Sequence, residues 1–130
     1  MDQVHYVVEF VIKPGKLDDF KAVAHELVDR VKAEEPATKS YQWYLSANGM
    51  RCHLHQWYDD SEAFVAHARG DAVADLLPKL LEYSTMSEIT FFGHPSAEAS
   101  RVLDRLAHRT TVTRNEWFAG FRRELAAVTP

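Results

Sequence analysis

The chain has 130 residues, 46% of them hydrophobic, with a formal net charge of −4 and an isoelectric point near 5.9. That length suits one domain around one core. The acidic balance offers no basic face for nucleic acid or an anionic lipid surface, and no apolar run approaches the ~20 residues of a membrane helix. Cys52 is the single cysteine, which excludes an internal disulfide and points to a cytoplasmic setting. Met1-Asp2-Gln3-Val4 lacks the basic-then-apolar pattern of a secretory leader, so none is expected.

Residues 4–13, rich in valine, isoleucine and aromatics, predict a buried strand that Pro14-Gly15 stops. From Lys16 to Glu35 the apolar residues Leu17, Phe20, Val23, Leu27 and Val31 recur at helical spacing, and Pro36 closes the helix. Residues 40–46 and 50–58 predict two strands joined at Asn48-Gly49, a strong hairpin signal. Asp59-Asp60-Ser61 supplies cap residues for a short helix over Glu62–Arg69, and Gly70-Asp71 breaks it. Ala72–Tyr83 predicts a further helix, interrupted or kinked near Pro78, and residues 86–93 a last strand. Ala97–Leu106 and Asn115–Ala127 read as helices, the second with a stripe of Trp117, Phe118, Phe121 and Leu125.

The order strand-helix-strand-strand-helix-strand specifies an α+β, ferredoxin-like antiparallel sheet with helices on one face. The expected organisation is a ferredoxin-like unit over residues 1–95 and a helical extension of the same domain over 96–130. A two-residue Asn48-Gly49 turn fixes the faces of the hairpin. Tyr41, Trp43 and Leu45 share one side with Cys52, Leu54, Gln56 and Tyr58, and lie beneath the helices. Gln42, Tyr44 and Ser46 share the other with Arg51, His53, His55 and Trp57. Trp57 and Tyr44 are costly to leave in water, so a second copy of the sheet is the natural cover.

Three stretches resemble the antibiotic biosynthesis monooxygenase-like family. They are the strand running into Pro14-Gly15-Lys16 and Phe20, the run from Gln56-Trp57-Tyr58 through Asp60 to Ala63-Phe64 and His67, and Phe91-Phe92-Gly93-His94-Pro95. The resemblance covers roughly residues 4–93. It implies a homodimer in which two sheets close into an α+β barrel, with a ligand pocket between sheet and helices in each subunit. Members include monooxygenases that oxidise quinols or polyketide aromatics without metal or flavin, haem-degrading enzymes, and stress-response proteins with no demonstrated chemistry. The places where haem-degrading members carry Asn, Trp and an iron-binding His are held here by Val8, His67 and Leu77. Valine donates no hydrogen bond and leucine does not ligate iron, so haem degradation is disfavoured. Quinol-oxidising members often carry Glu near Gln56, and an amide is no base.

His67 is the candidate catalytic residue, as proton acceptor or anchor for a phenolic substrate; helix packing is the plainer explanation. Tyr6, Tyr41, Trp43, Gln56 and Tyr58 are the candidate substrate pocket, although core packing accounts for such rings equally well. His53, His55 and Trp57 form an alternative, barrel-lining site. Two imidazoles at i and i+2 with Glu9 or Glu88 have metal-ligand character, but hydrogen bonding across a dimer is the simpler role, and no metal site is assigned. Cys52 reads as a small buried hydrophobe. The expected function is a cofactor-independent monooxygenase acting on a small aromatic or quinol compound. The alternative is a non-catalytic, stress-associated or small-ligand-binding dimer.

Overall fold

The computed structural model describes residues 3–123. Alternation shapes its first element. In β1, Val4–Ile12, every second residue is buried, so one side of the strand is core from end to end. Gly15, with φ of 76°, turns the chain into α1, Leu17–Glu34, which buries Phe20, Val23, Leu27 and Val31 against the sheet. β2, Thr38–Leu45, and β3, Arg51–Tyr58, follow as a hairpin.

Leu45 pairs with Cys52 and Trp43 with Leu54, the register expected for the hairpin, so the faces are those predicted. The turn itself differs. Gly49 carries a φ of 69° and no non-glycine residue among those described has a positive φ, so Asn48 does not take the left-handed place of a two-residue turn. The Gly49 N–H instead donates to the Ser46 carbonyl, and the Asn48 side chain accepts from the Met50 N–H at 3.0 Å. The longer loop keeps the same parity.

α2, Ser61–Ala68, is capped by Asp60, whose carboxylate accepts from the Ala63 N–H at 2.9 Å. α3, Asp71–Leu80, runs on through Pro78. β4, Ser84–Phe92, lies antiparallel to β1. Between them Glu9 pairs with Glu88 and Phe10 with Met86, so Ser87 is an extra residue. This bulge resets the alternation and lets both Met86 and Ile89 face the helices. α4, Ala97–Leu106, is capped by Ser96.

The tail corrects one expectation. No second tail helix forms among the described residues; Thr111–Asn115 is instead a strand, β5, parallel to β4, and residues 116–123 carry no helix. Leu125 and the end of the expected helix lie outside the described residues. The sheet order is β2-β3-β1-β4-β5, the ferredoxin-like α+β arrangement extended by one parallel edge strand. No helix of the described residues is long and apolar enough to cross a membrane.

The outer face is aromatic at one end and polar at the other. His5 stacks on Trp57 with ring centroids 3.8 Å apart, and Arg122 of the tail lies 5.2 Å over the Trp57 ring. Burial, with the neighbouring His55 adding to it, lowers the His5 imidazole to about 4, so it is neutral near pH 7. At the other end Glu9 accepts from Arg51 at 2.9 Å and from Ser87 at 2.8 Å, and pairs with His53 at 2.9 Å.

Gly93 ends β4 with φ of 128°, and a Cβ there would lie 2.8 Å from the Gln3 carbonyl oxygen. Both the conformation and the space require glycine. Gly93→Ala is expected to cost about 1–3 kcal/mol from the backbone conformation alone. A urea titration followed by tryptophan fluorescence measures it, and an unchanged midpoint contradicts the assignment.

Candidate active site

Between the inner face of the sheet and the helices lies a cavity of ≈ 220 Å³. β1 contributes Tyr6 and Val8, β2 contributes Tyr41 and Trp43, and β3 contributes Leu54 and Gln56. His67 closes one side from the last turn of α2, while α3 and α4 supply aliphatic cover that includes Leu77 and Leu106. Arg69 and Arg105 are the cationic side chains on its wall.

Of the residues picked out by sequence, Tyr6, Tyr41, Trp43, Gln56 and His67 come together around this space. Tyr58 does not reach it. Its ring is fully buried beside Phe64, and its hydroxyl donates to Gln56 Oε1 at 2.9 Å. Tyr58 therefore supports a wall residue instead of meeting a ligand. His53, His55 and Trp57 lie on the opposite face of the sheet, as the register required. Glu9 is tied to Arg51, Ser87 and His53, and no cluster of three His, Cys, Asp or Glu residues suited to a metal ion occurs among the described residues.

One residue beside the candidate site was not found from sequence. Glu35, just past the end of α1, places Oε1 2.6 Å from His67 Nδ1 and also accepts from the Thr38 hydroxyl at 3.1 Å. The imidazole and the carboxylate are both largely buried, at 4% and 13% side-chain exposure. An ionised carboxylate only accepts, so a neutral imidazole in this pair would carry its hydrogen on Nδ1 and its lone pair on Nε2. The ring is further enclosed by Tyr41 and Tyr58, whose centroids lie 5.6 and 5.8 Å away.

The cavity holds two unmatched donors. Gln56 Nε2 and Trp43 Nε1 are buried with no hydrogen-bond partner. A buried donor left unpaired costs ~1–3 kcal/mol, so a bound acceptor would find two donors free on this cavity. The phenols around them stay protonated. Burial raises Tyr6, Tyr41 and Tyr58 well above the ordinary range, and the Glu35 charge adds to it at all three. Burial also pushes the Cys52 thiol up to about 11, so it is no nucleophile.

The Trp43 donor is testable on its own. Trp43→Phe keeps an aromatic ring and removes the N–H. Affinity for a ligand that sets an acceptor on that N–H is expected to fall about fivefold, the equivalent of one hydrogen bond of ~1 kcal/mol. Titration calorimetry reads this, with the thermal midpoint as the check on folding. Unchanged affinity would remove Trp43 from the set of ligand donors.

A family model described as antibiotic biosynthesis monooxygenase matches residues 3–79. The chain belongs to the antibiotic biosynthesis monooxygenase family. Solved structures of similar fold include MupZ from Pseudomonas fluorescens, at 19% identity and a TM-score of 0.76, covering 99% of this chain and 100% of that one. SnoaB from Streptomyces nogalater, described as a cofactor-independent oxygenase and solved as its N63A mutant, is 16% identical with a TM-score of 0.63, covering 75% and 97%. Rv0793 from Mycobacterium tuberculosis is 17% identical with a TM-score of 0.61, covering 72% and 96%. At such identities the likeness is one of fold. No curated protein sequence matches the chain.

Among the variations within this family, the cavity does not suit the haem-degrading pattern. Val8 and Leu77 both line it, and the valine donates no hydrogen bond and the leucine does not ligate iron.

Proposed function

We propose that this member of the antibiotic biosynthesis monooxygenase family is a cofactor-independent monooxygenase acting on a small electron-rich aromatic, such as a quinol. The observation that carries the reading is a carboxylate-held imidazole set in the wall of an aromatic cavity that also holds two unpaired N–H donors. His67 Nε2 removes a phenolic proton. Gln56 Nε2 and Trp43 Nε1 donate to the oxygen that gains charge. The anion is electron-rich enough to reduce dioxygen itself, and the apolar walls keep water away from the intermediates. The reaction balances without another reductant: a ring C–H and the phenolic O–H are oxidised to a quinone, one oxygen atom enters the ring and the other leaves as water. Family membership and the printed description of SnoaB support this reading.

We also propose that the outer sheet face pairs with a second copy. Tyr44 is 56% exposed and Phe92 39% exposed beside the half-buried Trp57 stack, a patch costly to leave in water. A reducing, cytoplasmic setting fits the free, buried Cys52. Sedimentation across a concentration series tests the pairing. A dimer that dissociates in Trp57→Glu supports it, and a monomer throughout refutes it.

Aerobic incubation with a panel of quinols and hydroxylated polyaromatics tests the activity. Oxygen uptake above the autoxidation background is expected for at least one compound. Tight binding without uptake would favour a non-catalytic ligand-binding protein.

A further inference from the structure

His67 stands in two walls at once. On one side it lines the inner cavity, and on the other it lines an open cleft on the surface together with Arg30, Glu34, Glu35, Gly70 and Asp71. Glu35 belongs to the cleft only. Its Oε1 takes the Nδ1 hydrogen of His67, and its Oε2 is buried without a partner. That oxygen sits against Gly70, where an added Cβ would come within 3.3 Å of it, so a wall of the cleft is bare backbone just where the carboxylate lies.

The charges around the pair leave it free to act. Arg30 is engaged by Glu34 at 2.8 Å and Asp75 at 2.7 Å, and Arg69 by Glu98 at 3.0 Å. Among the described residues His67 is the only group within ion-pair distance of Glu35. From the sheet side, Tyr6, Tyr41 and Tyr58 face the pair and feel its negative charge, and each is held as neutral phenol. A carboxylate meant only to pin a helix would have both oxygens bound. This one has Oε1 on the imidazole and the Thr38 hydroxyl, and a buried, unpartnered Oε2, in a residue that lines the cleft.

We propose that His67 and Glu35 form a proton relay that carries a proton from the inner cavity to solvent in the cleft, with Glu35 as the positioning and exporting residue. The proposal rests on the reading of the cavity as a site for phenolic substrates. In the forward direction the substrate O–H bond breaks and an H–Nε2 bond forms. The Nδ1 hydrogen passes to Glu35 Oε1, and the neutral carboxylic acid then loses a proton to water in the cleft. The imidazole ends with its hydrogen on Nε2; when the reduced oxygen leaves as water it takes that hydrogen, a proton from the cleft returns through Glu35 to Nδ1, and the starting tautomer is restored. No electrons move, and the proton count is conserved at each transfer. The arrangement lets a closed, dry cavity lend a proton to the cleft and take it back without opening to water.

The test uses 4-nitrophenol, whose anion absorbs in the visible, so that it reads proton movement whether or not the protein oxygenates anything. Stopped-flow mixing in weak buffer with a pH indicator follows both the bound anion and the proton released to the medium. The wild-type protein is expected to bind the probe as its anion and to release a proton in step with binding. Glu35→Gln keeps an acceptor for Nδ1 and for Thr38 but does not export a proton, and its release is expected to be at least tenfold slower at similar affinity. Glu35→Ala opens the cleft to small acids, and formate is expected to restore its release rate in a concentration-dependent way. Equal release rates in wild type and Glu35→Gln, or no response of Glu35→Ala to formate, overturn the relay. Failure of the oxygenase reading shows separately, as absent oxygen uptake with normal proton release.

Discussion

Oxygen uptake is expected to fall by ~10²–10⁴-fold in His67→Ala, the range that loss of a positioned general base produces. The size of the effect follows from the company His67 keeps. Of the groups on the cavity wall, the phenols are held protonated by burial, the Gln56 amide has no basicity, and the two arginines are permanently cationic. Nothing else on that wall is placed to accept a proton. His67→Ala also strands the Glu35 carboxylate, which is only 13% exposed, so part of any loss would reflect weaker folding. His67→Gln separates the two effects. Its amide still bonds to Glu35 but is not basic, so kcat should fall as far as in the alanine variant while KM and the thermal midpoint stay near wild type. Steady-state oxygen consumption measures both constants. A His67→Gln enzyme within fivefold of wild type would remove the imidazole from the chemistry.

The largest expected effect on stability lies one layer beneath the cavity. Phe64 of α2 is fully buried and meets three rings: Tyr6 edge-on at 4.9 Å, Phe91 at 5.5 Å and Tyr58 at 6.1 Å. It packs α2 onto the sheet where β1, β3 and β4 lie side by side. Phe64→Ala loses the transfer free energy of the ring and leaves a cavity among neighbours that are themselves rigid rings. The expected cost is ~3–5 kcal/mol, a large share of the ~5–15 kcal/mol that holds a typical domain. In urea the midpoint should move by that amount with an unchanged slope. A loss below ~1 kcal/mol would mean that α2 is not anchored through this ring.

Much of the scaffold was legible because the sheet repeats every two residues. The run of valine, isoleucine and aromatics over residues 4–13 declared β1, and the Asn48-Gly49 turn set the parity that brings Tyr41, Trp43 and Gln56 under the helices. The exact turn did not matter, since the observed loop conserves that parity. His67 was singled out mainly by the family resemblance of the run from Asp60 to His67, and the structure sets it on the cavity wall.

What stayed hidden depended on tertiary contact. Glu35 reads locally as the second of two acids at a solvated helix end, and only the meeting of the α1 terminus with α2 gives it an imidazole. Tyr58 was assigned the correct face, but pattern alone does not tell a wall residue from one sealed behind Phe64. The Ser87 bulge, which brings Met86 to the cavity, leaves no mark in the alternation. The tail was misread although the sequence held the signal. Thr111-Val112-Thr113 is a β-branched run, and Gly120, with φ of 147°, interrupts the aromatic spacing that suggested a helix.

Oxygen-isotope labelling is the most direct measurement of the central idea, that the substrate's own electrons reduce dioxygen in this cavity. With protein stripped of metal by a chelator and free of flavin, turnover under ¹⁸O₂ should place one labelled atom in the quinone product and one in water, with one dioxygen consumed per product. Product oxygen drawn from water, or turnover that starts only when flavin or metal is added, would contradict the account.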